Sequence, residues 1–327
     1  MRAFVKFSII LTLCVIIMGA YTRLTDAGLG CPDWPGCYGF LTVPSEAEQI
    51  AQAQQLFPDA PLENQKAWNE MIHRYIAGLL GIVILVIAIW SLIRARHDPA
   101  QPVKLPLLLL ILVTFQAALG MWTVTMNLQP LIVMGHLLGG FSTLCLLYLL
   151  SLRLGRVHNP MGDINARSLR GLALIALLVV FGQIALGGWV AANYAAMTCT
   201  ALPICEGDWL NRLDVAGAFS VPEASTYQYG THDFEERMTM HVAHRFGAIV
   251  VMLVVGWLLW QGYRRAQSKV IRNSLNWVAL LLVVQVALGI SNVVFYLPLS
   301  VAVLHNLFGV LLLASLVGLN YKLARNA

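Results

Sequence analysis

Residues 70–93 read EMIHRYIAGLLGIVILVIAIWSLI. A glutamate, a histidine and an arginine open the stretch, and no charged side chain follows between Tyr75 and Ile93. At about 1.5 Å of rise per residue, a helix of that length crosses the ~30 Å hydrocarbon core of a bilayer. A histidine at the mouth of such a span is expensive to expose to lipid, so it faces the bundle interior. Working outward, eight apolar stretches of this kind run near 7–25, 71–93, 105–126, 130–152, 169–192, 241–262, 274–296 and 300–320. The 327-residue chain is 58% hydrophobic and 11% charged, against roughly a quarter charged in soluble domains. It lacks the charge to coat a water-facing surface, and its mean hydropathy is +0.72. These features predict an all-α membrane protein of eight transmembrane helices.

The charges give the orientation. Arg2 and Lys6 precede the first span, and Arg94, Arg96, Lys104, Arg153, Arg156, Arg167, Arg170, Arg264, Arg265, Lys269, Arg272, Lys322 and Arg325 fill alternate gaps. The remaining long gaps are acidic, with Asp33, Glu46, Glu48, Asp59 and Glu63 in one and Glu206, Asp208, Asp214, Glu223, Asp233, Glu235 and Glu236 in the other. Positive loops mark the cytoplasmic side, so both termini are expected inside and the acidic loops outside. The basic residues are dispersed with no continuous face, which excludes a nucleic-acid partner. Membrane lipid is the expected surroundings.

The chain repeats. Cys31 and Cys37 recur as Cys199 and Cys205, Gln116–Gly120 as Gln285–Gly289, His136 as His305, and His73-Arg74 as His244-Arg245. Each half holds four spans, so both run in the same direction. The expected architecture is two parallel-repeat four-helix bundles, 1–157 and 158–327. The first span resembles a cleavable signal peptide, but its counterpart in the second half predicts that it is retained. Pro130 and Pro298 mark tight outer turns. Residues 45–66 read as an amphipathic or partly disordered cap over the first half.

His73, His136, His244 and His305 lie at repeat-related places near the outer ends of spans. Two imidazoles at similar depth on two helices are how a bundle clamps a haem iron; structural histidines or another metal are the competing readings, and zinc would need further ligands. His241 stands one turn before His244 and is an alternative iron ligand or a group behind it. His97, His158 and His232 fall in loops. Glu70 shares a helix face with His73, and His241 takes that place in the second half, which leans toward chemistry in the first half and a permanent cofactor in the second. Arg74 and Arg245 either snorkel to the interface or pair with haem propionates. Outside the membrane, Cys31–Cys37 and Cys199–Cys205 should each close as a disulfide, either as a structural staple or a redox-active ring.

Taken together, Gly-Leu-Gly-Cys-Pro-Asp-Trp-Pro-Gly-Cys (28–37), Glu-Met-Ile-His-Arg (70–74), His136, His244-Arg245, His305 and the second cysteine pair resemble the haem A synthase family over essentially the whole chain. That family includes the mitochondrial counterpart needed for cytochrome oxidase assembly. The resemblance implies oxidation of the C8 methyl of haem O to a formyl group through two hydroxylations. It implies that His73 and His136 bind the substrate haem, that Glu70 stands by its reacting edge, and that His244 and His305 hold haem b. Haem O synthase, cytochrome oxidase assembly factors and an electron-transfer partner are the implied partners, and a homo-oligomer stays open. No transit-peptide-like extension precedes the first span, which fits a bacterial inner-membrane member. There is no flavin or nicotinamide fingerprint, so oxidant or reductant must come from elsewhere. A di-haem b-type electron-transfer cytochrome and a haem carrier or assembly factor are the alternatives.

Overall fold

A computed structural model describes residues 1–155 and 163–326; Arg156, His158 and the expected 157/158 boundary fall outside them. Ten α-helices follow in order among these residues: α1 (Arg2–Leu24), α2 (Ala47–Leu56), α3 (Asn64–Ala95), α4 (Lys104–Thr125), α5 (Pro130–Gly155), α6 (Arg170–Ala192), α7 (Val215–Ala218), α8 (Phe234–Arg265), α9 (Lys269–Val294) and α10 (Leu299–Asn326). All but α2 and α7 are long and apolar enough to cross a membrane, eight spans in all. Apolar side chains surround α3: Leu80, Val83, Ile84 and Ile87 are buried, while Leu79, Ile82, Ile89 and Ile93 face outward. A helix apolar on every side is stable only when the outward face meets lipid.

α3 and α8 begin at Asn64 and Phe234, before the apolar runs that mark their spans. Local chemistry accounts for the additional turns. Asp233 and Glu236 form a reciprocal capping box at the start of α8, satisfying two otherwise unpaired N–H groups. On α3, Ala67 and Met71 are buried among Cys31, Cys37, Tyr38, Val43 and Ala53. The segment 45–66 is ordered: α2 carries its own capping box, Glu46 with Gln49, and seats Ala53 in that same cluster.

Backbone features recur at the repeat spacing. Asp26 and Tyr194 adopt φ of 52° and 55°, and the next residue's N–H closes on the last turn of the preceding helix, Ala27 on Thr22 and Ala195 on Val190, both at 2.9 Å. Asn127 and Leu128 have φ of 49° and 64°, and Tyr296 and Leu297 have 56° and 58°. There Leu128 N–H reaches the Thr123 carbonyl at 2.8 Å and Leu297 N–H the Asn292 carbonyl at 2.7 Å. Such six-residue closures satisfy helix C-terminal carbonyls that have no partner within the helix.

The chain gathers into two compact units. One combines Ala3–Thr143 with Val221–Thr231, the other Leu144–Ser220 with His232–Ala327. Within the first, Asn127 binds the strap 221–231: its Nδ2 donates to the Ser225 carbonyl at 2.8 Å and its carbonyl accepts Tyr227 N–H at 3.0 Å.

Candidate functional site

In the first unit, His73 on α3 and His136 on α5 bring their rings to a centroid separation of 6.4 Å, with planes at 83°. Each ring lies against a glycine of another helix. A Cβ added to Gly19 on α1 would sit 2.9 Å from Cε1 of His73, and one on Gly120 of α4 would sit 3.4 Å from Cε1 of His136. The second unit repeats this seating. A Cβ on Gly187 of α6 would lie 2.9 Å from Cε1 of His244, and one on Gly289 of α9 would lie 3.2 Å from Cε1 of His305. At Gly19 and Gly187 a side chain would force the ring to shift, while Gly289 is less tight and Gly120 leaves an ordinary contact.

These sites fit a haem-type iron on three observations. Two imidazoles on one iron stand roughly 6 Å apart, two metal–nitrogen bonds of about 2 Å plus half of each ring, as His73 and His136 do. The rings of His73, His136 and His305 each have a backbone carbonyl of a neighbouring helix as partner, those of Val15, Gln116 and Gln285, the kind of contact that orients an imidazole whose other nitrogen binds a metal. Yet all four histidines remain only half-buried, so none is sealed within the packed core. His244 differs from the other three, because its Nδ1 stands 3.0 Å from the side-chain Nε2 of Gln183. In the same unit, Nε2 of Gln285 lies 3.3 Å from Nε2 of His305.

Above each pair lies a disulfide loop, Cys31–Cys37 in the first unit and Cys199–Cys205 in the second. The buried Glu70 carboxylate accepts Cys31 N–H at 2.9 Å through Oε2 and binds Arg74 Nη2 at 2.5 Å through Oε1. In the second loop, Cys199 N–H points to Nδ1 of the buried His241 at 3.4 Å. Glu70 and His241 thus hold the same place beneath corresponding loops. Arg74 donates to the carbonyls of Asp33 at 2.9 Å and Gly36, and Arg245 to those of Cys199 at 2.7 Å, Ala201 at 2.6 Å and Ile204. Both guanidinium groups clamp a loop to a helix, a role that the bare His-Arg dipeptides do not disclose. Asp33 tightens the first loop by accepting Tyr38 N–H at 2.6 Å and Gly39 N–H at 2.8 Å.

Two polar groups outside the spans have shifted protonation. The exposed Glu206 carboxyl is held down to about 2, first by the Ala201 N–H and then by the hydroxyl and N–H of Thr200. Burial, with carboxylates nearby, pushes the Tyr38 phenol upward; its hydroxyl donates to the Pro61 carbonyl at 3.1 Å. His232 is not a bare loop residue: it is buried, and its Nδ1 stands 2.8 Å from Glu236 Oε2. His97 is exposed. The sequence reading missed the four glycine seats, Gln183 and the arginine clamps. The recurrence of Gly19 as Gly187 and of Gly120 as Gly289 was the available signal for the seats.

The fold and this site define a multi-pass helical membrane protein with a pair of inward-facing imidazoles in each unit. The chain belongs to the cytochrome oxidase assembly protein family, whose model matches residues 2–317. Among its relatives, a haem A synthase of Shewanella oneidensis is 52% identical over 320 residues, covering 97% of this chain and 95% of the relative. A haem A synthase of Chelativorans sp. is 29% identical across 94% of this chain and 86% of its own length. One from Shouchella clausii is 26% identical across 90% and 87%.

Proposed function

We propose that this chain is a haem A synthase that oxidises the C8 methyl of haem O to a formyl group. The observation that carries the reading is the His73–His136 pair, 6.4 Å apart, with a buried carboxylate, Glu70, one helical turn toward the outer side on the same face of α3. His73 and His136 bind the substrate haem O. Two successive hydroxylations of its methyl carbon, each a two-electron oxidation whose oxidant and oxygen atom come from outside the chain, give the alcohol and then the geminal diol, which loses water to leave the aldehyde. Glu70, held by Cys31 and Arg74, is fixed in orientation and supplies negative charge beside the reacting edge.

His244 and His305 hold haem b, which supplies one-electron transfer when bound. The assignment of His244 rather than His241 is supported by the seat on Gly187, whereas His241 is engaged by the Cys199 loop. The contrast between Glu70 and His241 at matching places supports chemistry in the N-terminal half (1–157) and a permanent cofactor in the C-terminal half (158–327). The two halves are read as parallel four-helix repeats. Alternating basic and acidic loops support a bacterial inner membrane with both termini cytoplasmic. Haem O synthase as substrate donor, cytochrome oxidase assembly factors and an external electron partner complete the reading.

The test is to express the chain in a host that makes haem O but not haem A, purify it and chromatograph the extracted haems. Haem A or its alcohol precursor beside haem b is the expected result. Haem b alone would replace the reading with an electron-transfer cytochrome, and unmodified haem O would replace it with a carrier.

A further inference from the structure

The two units use a repeated glutamine in different ways. Gln116 on α4 recurs as Gln285 on α9, and His136 on α5 as His305 on α10, at one spacing. At that spacing Gly139 corresponds to Phe308. The exchange decides where the amide can go. Nε2 of Gln116 sits over Gly139, where a Cβ would collide with it. Gln116 is only 9% exposed, and this nitrogen has no hydrogen-bond partner. In the second unit the corresponding Nε2 stands 3.3 Å from His305 Nε2 instead.

Gly139 shares a face of α5 with His136, three residues and about 4.5 Å farther from the Pro130 end. That end is the loop end, where Gly28 lies against Leu128. Beside Gly139, a Cβ on Gly140 would meet nothing within 4 Å. Glu70 stands to the other side of the histidine pair, bonded to the Cys31 loop. A carboxylate and an amide therefore bracket the pair along the span, with the amide at the deeper end.

We infer that Gln116, admitted by Gly139, is a specificity-determining residue whose amide N–H donates to the hydroxyl of the hydroxyethylfarnesyl side chain of haem O. This rests on the proposed binding of haem O between His73 and His136. The propionates of haem O are charged and belong at the loop end, toward water. The reacting C8 methyl shares a pyrrole ring with one of them, which puts it on the side of Glu70. Methyl and vinyl groups offer no hydrogen-bonding atom. The remaining oxygen is the hydroxyl, on the half of the macrocycle away from the propionates, and hence at the deeper end with Gln116. A site built to hydrogen-bond a substrate hydroxyl rejects the analogue that lacks it, because the buried donor is then left unpaired. Haem b is that analogue, with a vinyl group in place of the hydroxyl-bearing chain. Phe308 denies the second unit the same arrangement, as suits a site for haem b.

The test purifies full-length protein in detergent from a host that makes haem b but no haem O. Haem O or further haem b is then titrated into the first site and binding is read by absorption. Gln116→Leu should bind haem O about 3–10-fold more weakly, the weight of one hydrogen bond, with haem b bound as well as before or better. Gly139→Ala, which displaces the amide, should reduce the preference for haem O in the same way. A purely packing role for Gln116 would weaken both haems alike; that result, or an undiminished preference for haem O in Gln116→Leu, would overturn this inference alone. A wild type that takes up no haem O would overturn the parent reading and this one with it. Should Gln116→Leu fail to fold, full preference for haem O in Gly139→Ala would overturn the inference.

Discussion

Cys31 N–H donates to Glu70 Oε2 at 2.9 Å, tying the first residue of a disulfide ring to a buried carboxylate on α3. The bond makes the loop part of the site: the ring sets where the carboxylate points. Glu70→Ala should therefore keep haem in both units yet reduce formyl product by about 100-fold or more, in the range by which positioned acids and bases act. Extracted-haem chromatography checks it, and normal haem A yield from the variant would remove Glu70 from the mechanism. Faster amide exchange at Cys31 should accompany the loss.

Arg245 gathers three carbonyls of the second loop, those of Cys199, Ala201 and Ile204. Arg245→Ala should destabilise the protein by ~1.5–3 kcal/mol, the range for hydrogen bonds to a charged group. Arg245→Lys should recover only part of it, since an ammonium cannot span the fork of a guanidinium. Thermal unfolding in detergent measures both.

The glycine seats predict position-specific sensitivity to a single methyl. Gly187→Ala places a Cβ 2.9 Å from the His244 ring, and the ring must shift or tilt. Haem b content should fall several-fold with the helices intact by circular dichroism. Gly78→Ala on α3 meets nothing within 4 Å and should be neutral or slightly stabilising, because alanine is the better helix former.

Glu206 gives the second loop a dependence on acid. Its carboxyl lies at about 2 in the fold against an ordinary 4.5, so the folded loop favours the ionised form. The resulting stabilisation is complete above 4.5 and is lost as pH falls from there through about 2. Amide exchange at Thr200 and Ala201, which donate to Glu206, should quicken across that window. Glu206→Gln should abolish the change.

Much of the architecture was legible because lipid imposes a simple rule. A run such as Tyr75–Ile93, without a charge, has one stable form in a bilayer, so the spans follow from composition and length. The spacing of the four histidines pointed to a repeat for a related reason: few positions in an apolar helix tolerate such a side chain, and those recurring at nearly the same offset stand out. The starts of α3 and α8 were less legible, since their first turns are built from polar residues whose helicity rests on the Asp233–Glu236 capping box and on packing beneath the disulfide loops.

By itself the sequence determined the helical membrane class, the eight spans, the cysteine pairs and the histidines worth attention. Each of these depends on local composition or on spacing along one chain. Only the tertiary structure decided that Glu70 and His241 meet the backbone of Cys31 and Cys199, that Arg74 and Arg245 hold loops, and that each imidazole rests on a glycine of another helix. Those contacts join residues as far as 57 positions apart, as between Gly187 and His244, with 46 between Cys199 and Arg245 and 42 between Cys199 and His241. Their distances are set by the packing of whole helices, which no periodicity within a single segment encodes.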